Sequence, residues 1–342
     1  MKRSETRILT THVGSLPRPA RMLELASLEK GPPKDPAEYA ALLRESVADI
    51  VRKQVAVGVD IVNDGEFGKE SWANYIIKRV SGFEVRPDQR REAEWLGSDR
   101  IRFRDFIAED MPGIIEGMAT EACVGPVSYR GQNEIALAVG ALTDALREEY
   151  LTIHRAGLLV QVDDAVLANM YDALVSQSPQ RYREWAQLRI DALNHALRDI
   201  PQDRVRYHLC FGSWHLPHIS DAPLEEIVEF ILQVKAGAYS IEAANPRHEH
   251  EWRVWEQVAL PKGKILIPGV ITHHIITAEH PRLVADRIIR FANLVGPDNV
   301  IAGTDCGFAQ LDSIRRVHPE VMWAKFEALV EGAAIASGEI WG

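Results

Sequence analysis

Short apolar runs rich in β-branched residues recur along the chain, each followed by a polar or glycine-containing turn and then a longer amphipathic stretch. The runs are Ile8 to Val13, Val59 to Asn63, Ala122 to Gly125, Leu158 to Val162, Val205 to Cys210, Ala238 to Glu242, Lys264 to Pro268 and Val300 to Gly303. Helical patterns lie between them over Ala37 to Val57, Asn133 to Ala156, Ser178 to Leu197, Leu224 to Ala236, Pro281 to Val295 and Pro319 to Ser337. Strand-like runs alternating with helices are the rhythm of βα units. Several helical stretches open with proline or a small polar residue near the first turn, as helix starts prefer.

Eight strands alternating with helices in a chain of 342 residues predict an α/β fold, a (β/α)8 TIM barrel formed as one domain over residues 1–342. A doubly wound sheet is the lesser option. Gly14 stands alone after the first run, without the glycine-rich fingerprint that a dinucleotide needs. The segment 68–120 is too long for one crossover helix and mixes charge with Phe83, Trp95, Phe103 and Phe106. It reads as an insertion after the second strand, over the barrel mouth.

A net charge of −10 argues against a general nucleic-acid binder, which needs surplus Lys and Arg on one face. No apolar run is long enough to span a membrane, and the N-terminus lacks a signal-peptide core, so a cytoplasmic location and a small-molecule partner are expected. A homo-oligomer is left open. Three scattered cysteines make no disulfide framework.

Reactive side chains in such a barrel gather at the carboxyl ends of the strands. Those ends supply Ser15, Asp64 and Glu66, Asp163 and Asp164, His208 and Cys210, Glu242, His273 and His274, and Asp305 and Cys306. His208 and Cys210 are two apart on one strand, so they share a face. With Glu242 and Cys306 at other strand ends they make a set of imidazole, two thiolates and a carboxylate, which suits Zn²⁺. Two thiolates and one carboxylate would leave the centre at a net charge of about −1. An incoming thiol could then displace Glu242 and lose its proton, although a free thiol of pKa ~8.5 is mostly protonated at neutral pH. Cys123, in mid-run, reads as a packed core residue.

His208-x-Cys210, Glu242 and Asp305-Cys306-Gly307, with Thr10-Thr11-His12-Val13-Gly14-Ser15-Leu16-Pro17, resemble the catalytic barrel of cobalamin-independent methionine synthase. The resemblance covers almost the whole chain. It implies zinc held by His208, Cys210, Glu242 and Cys306, and methyl transfer to homocysteine. It also implies amino-acid contacts at Ser15, Glu66 and Asp163, with Glu66 and Asp163 as the catalytic carboxylates; solvated strand-end carboxylates or helix N-caps are the alternative for those two. The family's full-length enzymes carry a further N-terminal barrel, and single-barrel relatives are expected to take methyl from a corrinoid. Folate-using members place a tryptophan where Tyr129, Arg130 and Gly131 stand here.

The stretch Glu242 to Trp252, with Pro268 to Ile271 and Ala302 to Phe308, also resembles the epoxyalkane:coenzyme M transferase branch, in which a thiolate opens an epoxide. Arg247 and His273 would then contact substrate. The alkyl donor thus stays open among corrinoid, folate and epoxide. A non-catalytic structural zinc protein is the alternative from another class. A metal-free decarboxylase leaves Cys210 and Cys306 without a task.

Overall fold

The computed structural model describes residues 1–25, 34–69, 83–91, 93–110, 118–123, 136–213, 215–309 and 317–342. Eight named strands lie among them: β1 (Leu9–Thr10), β2 (Phe83–Arg91), β3 (Met118–Cys123), β4 (Val160–Asp164), β5 (Val205–Leu209), β6 (Ala238–Ile241), β7 (Ile265–Ile271) and β8 (Ile301–Thr304). The chain divides into two compact units, Met1–Tyr75 with Ala238–Gly342, and Ile76–Gly237.

In the first unit β1, β8, β7 and β6 are neighbours in that order, and every pair is parallel. β7 is buried along its whole length, as a near-continuous apolar run in a sheet covered on both faces should be. Helices Pro36–Val57, Pro281–Val295 and Pro319–Trp341 each carry proline in the first turn, where no intrahelical N–H is lost. Asp35, His280 and His318 cap them, each side chain accepting a backbone N–H. Their apolar faces meet in one cluster that includes Ile8, Leu16, Ile50, Val284, Ile288, Phe326 and Leu329.

In the second unit β4 and β5 run parallel, with Asp163 opposite His208 and Asp164 opposite Leu209. Helices Ala136–Arg155, Pro179–Ala196 and Leu224–Gln233 belong to this unit. Before them, Glu94–Leu96, Asp99–Arg102 and Arg104–Asp110 form short helical turns. Asp99 Oδ2 accepts the Ile219 N–H at 2.8 Å, and Asp172 Oδ2 accepts that of Ser98 at 2.7 Å.

Two expected strands differ. Val59 to Asn63 makes one parallel bridge, Ile61 to Thr11. Ala122 and Cys123 pair antiparallel with Glu84 and Phe83 in a two-stranded ribbon. The partner Phe83–Arg91 carries charges and Pro87, which hid it as a strand. Val124 and Gly125, with Tyr129, Arg130 and Gly131, lie outside the described residues, as does the Cys123 side chain.

Candidate metal and substrate site

Cys306 follows β8 in a tight turn whose shape glycine dictates. Gly14 has φ of 73°, and a Cβ there would lie 2.7 Å from the Gly307 nitrogen; one on Gly307 would lie 2.3 Å from the Ser15 nitrogen. Only hydrogen fits between these backbones. The turns are then laced together, with Phe308 and Ala309 donating their N–H groups to the Ser15 carbonyl at 2.8 and 3.1 Å. The Gly14-Ser15 and Cys306-Gly307 motifs are therefore two sides of one joint.

Glu242 and Cys306, 2% and 5% exposed, are accompanied by His273 at 1%. One ligand atom from each of the three lies within 4.8 Å of the others. Asn245 Nδ2 donates to Glu242 Oε2 at 2.9 Å, and His274 Nε2 stands 3.6 Å from the same oxygen. Asp305 braces the floor: Oδ1 accepts the N–H groups of Ala243 and Ala244 at 2.7 and 2.8 Å, and Oδ2 accepts Asn245 at 3.2 Å. Burial first, and then the nearby Glu242 charge, push the Asp305 carboxyl up to about 6.

Ser15 and Glu66 form a second polar group in this unit. Ser15 Oγ donates to Glu66 Oε2 at 2.6 Å, and Lys69 Nζ donates to Oε1 at 3.1 Å. Burial alone would raise the Glu66 carboxyl, but the Lys69 charge and the Ser15 hydroxyl outweigh it and hold the group below its usual range. Glu66 also has φ of 57°, a left-handed backbone that costs a non-glycine residue roughly 1–2 kcal/mol. Strain of this kind concentrates at working sites.

In the second unit His208 and Cys210 present ligand atoms within 4.8 Å of each other. The Gly212 N–H donates to Cys210 Sγ at 3.2 Å. Of the adjacent aspartates, Asp164 is structural: Oδ1 accepts Val166, Leu167 and Arg189, and Oδ2 accepts the Tyr207 hydroxyl at 3.2 Å. Asp163, the residue paired to His208, points to the opposite side and is exposed. Arg206, buried two residues before His208, is pulled down to about 10 by burial and so stays charged at neutral pH beside Asp163.

Glu242, Cys306 and His273 are thus assembled in one unit and His208 with Cys210 in the other. Arg247 is exposed, its backbone N–H donated to Asn245 Oδ1 at 3.0 Å. Sequence reasoning passed over Asn245 and Lys69, each three residues beyond a strand-end glutamate, the reach of a single turn.

The chain matches the family model described as cobalamin-independent synthase, catalytic domain, over residues 8–102 and 85–325. It belongs to that family. A methionine synthase of Thermococcus kodakarensis is 21% identical, with 97% of this chain and 94% of the relative aligned. A 5-methyltetrahydropteroyltriglutamate–homocysteine methyltransferase of Thermotoga petrophila is also 21% identical over 87% of this chain, which spans only 41% of that longer relative. A B12-independent methionine synthase structure from Shewanella sp. W3-18-1, in complex with selenomethionine, aligns at a TM-score of 0.70 and 20% identity over 98% of this chain and 99% of its own. That likeness establishes the α/β, (β/α)8 barrel fold class read from the sequence. Among the described residues no helix is long and apolar enough to cross a membrane.

Proposed function

We propose that this chain transfers an alkyl group to a thiol, with methyl transfer to homocysteine as the simplest case, and that His208, Cys210, Glu242 and Cys306 are its zinc ligands. The observation that carries the reading is the buried Cys306–Glu242 pair within a group of metal donors, in a chain of this family. Thiolate, imidazole and carboxylate donors suit zinc. Zinc, when bound there, would lower the thiol pKa and so supply the nucleophile at neutral pH.

The chain's own groups divide the remaining work. Glu66, held ionised by Ser15 and Lys69, offers a carboxylate to the ammonium of an amino-acid thiol. Asp163 is proposed for the same ammonium. Glu242 keeps Asn245 and His274 as neighbours, so it can turn without losing every partner, and Nε2 of His274 is placed to hold a proton. His273 stands with Glu242 and Cys306, where it would border a substrate held beside the four ligands.

Cobalt substitution tests the assignment, because sulfur-to-cobalt charge transfer reports each sulfur ligand. The expected result is one cobalt per chain and a band that grows with homocysteine. Growth with coenzyme M alone would move the reading to epoxide opening. No change with either thiol would point to structural zinc and overturn the proposal. Cys306→Ser is expected to weaken the metal by about 10–100-fold or more, whereas His273→Gln separates ligand from bystander by the same titration.

A further inference from the structure

The loop after β7 carries His273 and His274 and is fastened from beneath by two buried charges. Lys325, on helix Pro319–Trp341, has a fully buried side chain, and Glu279 is 8% exposed. Lys325 Nζ donates to Glu279 Oε2 at 2.8 Å and to the Thr277 carbonyl at 2.6 Å. Glu279 Oε1 accepts the Thr272 N–H at 2.7 Å, and Thr272 Oγ1 accepts the His274 N–H at 3.1 Å. One carboxylate therefore closes the loop from Thr272 to Glu279 on itself, and one ammonium ties that closure to a helix. The far limb exposes Ile275 and Ile276, while the near limb places His273 against Glu242 and Cys306.

We propose that Lys325 and Glu279 are positioning residues, which set the two imidazoles of His273 and His274 relative to Glu242 and Cys306. The physical reason is the direction of the bonds. A core stabilised by packing alone could use an apolar pair, because replacing a buried ion pair by well-packed apolar residues is often neutral or stabilising. Here the carboxylate spends one oxygen on the backbone N–H next to His273, an atom whose place decides where the ring sits. Ring displacements of about 1 Å are enough to change a rate by about a hundredfold.

The inference rests on the thiol-alkylation reading, yet its test does not. Glu279→Gln removes the charge. Glu279→Asp keeps Lys325 paired but is one methylene too short to reach Lys325 and Thr272 together. In metal-loaded full-length protein labelled with ¹⁵N-histidine, the imidazole resonances of His273 and His274 are identified by their loss in His273→Gln and His274→Gln. Both are expected to shift in each Glu279 variant, while those of exposed His195 and His250 stay in place. The kcat for thiol alkylation is expected to fall by about a hundredfold with KM for the thiol nearly unchanged. Unmoved resonances in both variants overturn the positioning role, whatever the rate. If wild-type protein alkylates no thiol, the functional reading fails alone and the resonances still decide this one.

Discussion

A methyl group at position 269 would lie 2.2 Å from Oδ1 of Asp305 and 2.6 Å from its Cα. The second contact is backbone, so no side-chain rotation relieves it. Gly269→Ala is expected to cost about 2–3 kcal/mol, read as a lower urea midpoint at unchanged slope. Asp305 itself gives a pH signature. Its folded-state value near 6 lies above the ordinary carboxylate value, so the folded protein binds the proton more tightly than the unfolded chain. Stability from this group is full at low pH and declines as pH rises from about 4 to about 6, and Asp305→Asn should flatten that window in urea titrations of metal-free protein. Glu66 behaves oppositely. Its carboxyl is held below the usual range, so its contribution is present above the unfolded value and is lost as pH falls through the folded one. Both residues stand at strand ends, which is why the sequence could nominate them. Their opposite environments depend on Ser15 reaching Glu66 and Glu242 reaching Asp305 from distant segments, and no local pattern encodes that.

Lys325 belongs to the scale of elements, because it joins helix Pro319–Trp341 to the loop after β7. Lys325→Met leaves Glu279 buried without its cation and is expected to cost about 3–5 kcal/mol, measured by thermal unfolding at pH 7. A second buried cation does similar work nearby: Arg287 donates to the carbonyls of Val270 and Ala244 at 3.0 and 3.1 Å, binding the turn after β6 to the end of β7. Neither cation is legible, because a basic residue in a helix reads by default as solvent-facing. The helices are legible where a proline opens them: Pro281–Val295 spans the residues its pattern predicts, and the others differ by a few residues at their ends. Phe83–Arg91 escaped notice because alternation was masked by charge. Its pairing with Met118–Cys123 took Ala122 and Cys123 into a local ribbon. Periodicity shows that a run is extended, not which neighbour will take it.

Over the whole molecule, the unit that contains Glu242, His273 and Cys306 is built from both ends of the chain, Met1–Tyr75 and Ala238–Gly342. Helix Pro319–Trp341 supplies Phe326 and Leu329 to its core cluster, beside Ile8 and Leu16. Removing residues 319–342 is therefore expected to abolish hydrogen-exchange protection in β7 and β8, a loss far larger than any point change gives. The sequence showed the order of the elements and the donors at their ends, but the closure of this unit is a property of distant segments meeting.

The pairing of Leu9 with Ile301 and of Thr10 with Ala302 has a temporal meaning. A ribosome adding roughly 5–20 residues per second needs on the order of 15–60 seconds between making the first of these strands and the second. Throughout that interval Leu9–Thr10 has no partner from β8, and Glu242 has been synthesised before Cys306 exists. The proposed donor set is therefore incomplete until residue 306 has been added.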